Sequence, residues 1–357
     1  MQAYSDLGNL APVLSEMTLK GRPDYERAVR GLHWEEPPVY AVGSAATLPA
    51  AVALGYAFED LLEWSVVVRE AGRFLAGSLG TVRTGSVVVL IADESPEVIE
   101  AATAARKRGA RVLGVTSEPA ALAGEVQEMI VLPGVPGAPA RGLAGACLQH
   151  AAAGYLALVA ARVLKRPQPR LDRVEKDWAE LPAHLDRAVS QFADAVRSLA
   201  AELRPRNPLF IVGGGLYHSS AHRAAALARR EGDRPVVGVD PAEMRTGWLA
   251  TVGEDSGAVF LSGSRSRWRK GLAELAREVK ERGALSLALT DSNDHDLARE
   301  VRRTLLLPEL AELPASILGL ALAGWLAGEA AVRAPRQRLR GRAARTPAEA
   351  GKAASAD

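Results

Sequence analysis

The feature that most constrains this chain is a design that occurs twice. Leu209 to Val212 form a short apolar run, three glycines follow at 213, 214 and 215, and the alanine-rich stretch from Ser219 to Glu231 has helix-forming composition. The same order appears earlier, where Val39 to Val42 lead through Gly43, Ser44 and Thr47 into the apolar segment Leu48 to Trp64. A strand that passes through glycine into a helix N-terminus is a natural holder of an anion. Gly43 and Gly213 lie 170 positions apart, and the turns around Gly109 and Gly283, each flanked by arginine and alanine, lie 174 apart. Two offsets this similar indicate a duplicated domain.

Strand and helix patterns alternate in both copies. In the first we expect strands at 39–42, 65–69, 86–91, 111–116 and 129–132, with helices at 47–64, 96–108 and 143–164. In the second, strands fall at 209–212, 235–239, 257–261, 285–290 and 304–307, with helices at 219–231, 267–282, 294–302 and 314–332. Alternation of this kind predicts parallel sheets covered by helices on both faces, an α/β fold of two tandem doubly wound, flavodoxin-like domains. The expected organisation is a helical arm over 1–32, a first domain over 33–165, a linker and connecting helix over 166–206, a second domain over 207–332 and a basic tail over 333–357. Pro167 and Pro169 mark the linker, and Leu185, Val189, Phe192, Val196 and Leu199 put one apolar face on a helix from Pro182 to Leu203.

With 48% hydrophobic and 24% charged residues, the 357-residue chain can build two full cores. Its net charge of +2 offers no broad basic surface for nucleic acid, and the arginines crowded after Arg333 read as a flexible tail without interleaved aromatics. No DNA-binding helix-turn-helix precedes residue 38. The apolar run Ala315 to Ala327 is shorter than a membrane span and reads as a core helix. The single cysteine, Cys147, makes no internal disulfide and excludes cysteine-based metal sites. With no signal-like N-terminus, a cytoplasmic protein is expected.

Two doubly wound repeats with these glycine loops resemble tandem sugar isomerase (SIS) domains, with the layout of the isomerase half of glucosamine-6-phosphate synthase. The resemblance spans about residues 1 to 340 and implies a phosphorylated sugar ligand, no cofactor and a homodimer; no nucleic acid or membrane partner is expected. No glutaminase segment is recognised. Gly43-Ser44-Ala45 stands where the family has Gly-Thr-Ser, and Glu70 to Phe74 looks like its Glu-Phe element. The family's phosphate loop, Ser-x-Ser-Gly-Glu-Thr, is matched by Leu90 to Ser95, which keeps Glu94 and Ser95 but puts a negative charge at Asp93. An ungapped match sets Arg230 at the family's proton-transfer base, with Glu231 adjacent. The family's Glu-x-x-His-Gly reads Glu243 to Gly247 here, with Thr246 in place of histidine. Isomerisation needs a base with a pKa near neutrality, so the alternative is a non-catalytic sugar-phosphate sensor or regulatory protein.

The candidate sugar-phosphate contacts are Ser44, Thr47, Glu94 and Ser95 in the first crevice and Gly214, Ser262, Ser264, Arg265 and Ser266 in the second. The last four follow a strand, precede a helix and combine hydroxyls with a guanidinium, parts that suit an anion. An ordinary capped helix start accounts for the same residues. Catalytic candidates are Glu231, Glu243 and His218, the last a general acid or an exposed loop histidine. His218 and His222 sit four apart and share a helix face, but no third ligand is evident in the sequence, so no metal site is expected.

Overall fold

The computed structural model describes residues 6–32, 34, 38–166, 171–232 and 234–332. The basic tail at 333–357 and the linker prolines Pro167 and Pro169 lie outside the described residues. Two five-stranded sheets, all parallel, carry the fold. The first is built from β1 (Val39–Gly43), β2 (Val66–Glu70), β3 (Val87–Ala92), β4 (Arg111–Thr116) and β5 (Glu128–Val131) in the order β2-β1-β3-β4-β5. The second uses β6 (Leu209–Gly213), β7 (Val236–Val239), β8 (Gly257–Leu261), β9 (Leu285–Asp291) and β10 (Arg303–Leu307) and repeats that order as β7-β6-β8-β9-β10. Register is equivalent too: Gly43 stands opposite Ile91, and Gly213 opposite Leu261.

Alternation along each strand sorts the core into layers. Ala41, Val89 and Ile91 of the first sheet and Ile211, Val259 and Leu261 of the second face inward and belong to one continuous apolar cluster. Tyr40, Val42, Val88 and Leu90 point outward into one separate cluster, and Phe210, Val212 and Phe260 into another. The shared inner layer contains α1 (Leu10–Leu19), α2 (Arg22–Gly31), α3 (Leu48–Leu62), α5 (Leu143–Val163), α6 (Leu171–Gln191), α7 (Ala193–Leu203), α8 (Leu216–Glu231) and α11 (Glu312–Ala331); α4 (Pro96–Lys107) covers the first outer face, and α9 (Arg269–Glu281) with α10 (His295–Glu300) the second. By length and composition α5 and α11 could each cross a membrane, a longer apolar helix at 312–331 than the run Ala315 to Ala327 suggests, but both are buried inside the fold. A helix that is apolar all round needs such surroundings.

Three helical expectations change. The connecting helix begins at Leu171, runs through Pro182 and breaks at Phe192 before α7. Leu171, Val174, Trp178, Leu181 and Leu185 form a buried stripe against the inner core, and its burial outweighs the roughly 3 kcal/mol that an interior proline costs. The arm is two helices, with Pro23 in the first turn of α2, where no amide donor is needed. Finally, α8 begins at Leu216 and not at Ser219, because Gly215 takes φ +60° and turns the chain at once. Tyr217 and His218 are therefore in the first helical turn, not in an exposed loop.

Candidate functional site

In this strand order the crevice for a ligand opens beyond the C-terminal ends of β1 and β3, and equivalently of β6 and β8. The loops after those four strands carry most of the residues selected from the sequence.

In the first crevice Thr47 is fixed from two sides: its hydroxyl donates to the carbonyl of Ile91 and accepts the Ser44 amide at 2.9 Å. Asp93 occupies the centre. Its carboxylate accepts the Ser44 hydroxyl at 2.9 Å and the Ser95 amide at 3.1 Å, and the Arg141 guanidinium stands 3.9 Å away. These are donors that would otherwise meet an incoming anion, and the chain fills them with a carboxylate of its own. Glu94 projects to solvent. Behind the loop, α8 of the second half brings in Arg223, 3% exposed, whose guanidinium burial pushes down to about 10. Cys147 and His150 on α5 are buried in the same region; burial pushes the thiol up to about 12, and burial with the nearby Arg223 charge pushes His150 down to about 3. Neither Arg141 nor Arg223 stands out in the sequence: Arg141 reaches Asp93 from the segment before α5, and Arg223 only through the packing of one half on the other.

The second crevice is also internally neutralised. The Ser264 amide donates to Asp291 at 2.7 Å, and Arg265 is paired with Glu309 at 2.8 Å. Ser266 is buried, with its hydroxyl accepting the Trp268 amide at 3.3 Å, and Ser262 is buried beside Asp294, whose carboxyl burial pushes up. Gly214 lies under the indole of Trp268: a Cβ there would come within 2.3 Å of the ring. Trp268 is 43% exposed and, with Gly215, Leu216, Arg267 and Glu312, forms one wall of a cleft of about 410 Å³. Tyr56, Glu59 and Asp60 of α3 supply the opposite wall, so both halves build it. Arg267 has no ion-pair partner among the described residues.

Of the three catalytic candidates, Glu231 stands apart from the other two. Glu231 ends α8, about 22 Å along the helix from the glycine loop at 1.5 Å per residue. It packs against Gly328 of α11, and burial, then the Glu329 charge, pushes its carboxyl up. Its neighbour Arg230 instead reaches toward the first crevice and donates to the Arg141 carbonyl at 2.9 Å. His218 and Glu243 come together, joined by His222: one ligand atom from each of the three lies within 4.8 Å of the others. The third ligand is thus supplied from 21 residues downstream of His222, by the short turn Pro241–Glu243 that follows β7. Burial lowers the pKa of both histidines, so both imidazoles are neutral at pH 7.

Comparison with known proteins agrees with this architecture. A family model described as SIS domain matches residues 34–159 and again 202–326. The C-terminal domain of glucosamine-fructose-6-phosphate aminotransferase from Francisella tularensis superposes with a TM-score of 0.78 at 14% identity, covering 92% of this chain and 94% of that one. A candidate phosphosugar isomerase from Silicibacter pomeroyi DSS-3 gives 0.73 at 19% identity, over 92% and 97% of the two chains. Tagatose-6-phosphate ketose/aldose isomerase from Escherichia coli gives 0.73 at 11%, over 92% of each. At these identities the likeness is one of fold. No curated protein sequence matches significantly.

Proposed function

The chain belongs to the SIS domain family, and from that premise we propose that it binds a phosphorylated sugar without isomerising it, as a sensor or regulatory protein. The cleft between α3 and the second glycine loop carries this reading. Trp268 offers an exposed indole on which a sugar ring can lie, Glu59, Asp60 and Glu312 offer acceptors for hydroxyls, and Arg267 offers a cation for the phosphate. The non-catalytic part rests on position 230, where the side chain that reaches toward the first crevice is an arginine and not a carboxylate. The structural relatives named for phosphosugars support the ligand class. We include a homodimer in the proposal, to be checked by light scattering.

Thermal shift with fructose 6-phosphate, glucose 6-phosphate and glucosamine 6-phosphate, followed by an isomerase assay, tests it. Stabilisation without turnover is the expected outcome. Turnover overturns the sensor, and no shift with any of the three overturns the ligand class. The meeting of His218 and Glu243 favours a second reading, an isomerase with a neutral imidazole as base. Under that reading His218→Gln abolishes turnover while the thermal shift persists.

A further inference from the structure

His218 and His222 are one helical turn apart on α8, with ring centroids separated by 4.4 Å and planes at 87°. His218 Nδ1 and His222 Nε2 are both buried and have no hydrogen-bond partner among the described residues. Burying such groups unpaired is unfavourable, and a neutral imidazole lone pair is the commonest biological metal donor. Glu243 brings the third ligand. Its turn is held by Asp240, which accepts the amides of Ala242 at 2.7 Å and Glu243 at 2.8 Å. Gly238 allows α8 to lie directly against β7: a Cβ there would meet the Ala221 carbonyl and the His222 Cα at 2.6 Å. The helix face and the turn are thus brought together by backbone contacts, independent of any side-chain rotamer.

We propose that His218, His222 and Glu243 bind a divalent transition-metal ion of the zinc class. Ligand atoms of a tetrahedral zinc site lie ~3.3 Å apart, from metal–ligand distances of about 2.0–2.1 Å. The observed spread of up to 4.8 Å therefore closes by at most about 1.5 Å, within reach of rotation of the exposed Glu243 side chain. Two histidines and a glutamate make the donor set of an open zinc site, whose fourth position takes water or a ligand oxygen. Asp240, whose negative charge reaches both histidines, orients the glutamate through its backbone. Arg229 is the cation whose charge acts on His222. The fold itself does not require the trio: at the 170-residue offset of the repeat, the first half has Leu48, Val52 and Arg73 at these places. None of the three ligands lines the proposed sugar-phosphate cleft, and the metal titration is run without sugar, so its test does not depend on that proposal.

The full chain, purified without a polyhistidine tag and treated with EDTA, is titrated with Co²⁺ and followed by visible absorption, then competed with Zn²⁺. The expected result is one Co²⁺ per chain with the intense d–d bands of a four-coordinate ion, displaced by Zn²⁺. His222→Gln and Glu243→Gln keep side-chain volume, and each removes a direct ligand and is expected to weaken binding by at least about 100-fold, the upper end of what loss of an outer-shell partner costs, with unchanged circular dichroism. His295→Gln serves as the control and leaves binding unchanged. Absence of a saturable band in the wild-type chain, or binding that survives in both His222→Gln and Glu243→Gln, overturns the proposal.

Discussion

Lowering the pH from 7 to 5 should loosen the seam between the two halves through one histidine. His150 sits on α5 at 3% exposure, its Nδ1 3.0 Å from the Ala146 carbonyl, and burial, aided by the Arg223 charge, holds its pKa near 3. In the unfolded chain the value returns to about 6.5. A depressed histidine favours the folded state while it is neutral, so its contribution is complete above pH 6.5 and is lost as pH falls from there toward 3. Evaluating that linkage between pH 7 and pH 5 gives a loss of about 2 kcal/mol from this group alone. Urea unfolding of the wild type and of His150→Leu at both pH values isolates it, because His218 and His222, lowered in the same direction, are present in both proteins and cancel. The wild type should lose about 2 kcal/mol more than the variant between the two pH values. Equal losses would show that His150 is not held neutral by the fold, and a larger loss in the variant would reverse the sign of its contribution.

Other changes probe the neighbouring contacts. Arg223→Met removes a guanidinium that burial holds at about 10, and relief of that penalty is worth up to about 3 kcal/mol in a urea titration; a loss of stability would mean that the cation is fully paired where it lies. Asp93→Ser leaves the Ser44 hydroxyl, the Ser95 amide and Arg141 without their carboxylate partner, and calorimetry with inorganic phosphate should show binding about tenfold tighter than in the wild type. Unchanged affinity would show that Asp93 does not block the first crevice. Gly238→Ala forces α8 away from β7 at a cost of roughly 1–3 kcal/mol, read by thermal unfolding.

Local pattern made the sheets legible. The glycine at the end of β1 recurs at the end of β6, and short valine- and leucine-rich runs between turns can only be buried strands when helices alternate with them. The start of α8 is less legible, since Tyr217 and His218 are weaker helix formers beside three glycines, and it is Gly215 at positive φ that lets the helix begin early. Pro182 misled in the same way: a local rule places a helix boundary there, and tertiary burial overrides it. In the sites, Ser44, Thr47 and Ser95 were recognisable from their strand ends, but the groups that decide their chemistry were not. Arg141, Arg223 and His150 come from distant elements, and Glu243 meets His222 across the end of an edge strand. Sequence spacing carries none of those distances. Arg265 illustrates the converse, a residue of suitable type whose charge is already taken up by Glu309, itself shared with Arg173 and Asn293.

Sugar-phosphate binding in the cleft is tested most directly by isothermal titration of the full chain with fructose 6-phosphate, glucose 6-phosphate and glucosamine 6-phosphate, repeated on Arg267→Ala and Trp268→Ala. Saturable binding of at least one of these sugars is expected, weakened roughly tenfold or more in each variant by loss of a charge-assisted contact or a stacking face. No heat with any sugar phosphate, or wild-type affinity in both variants, would contradict it.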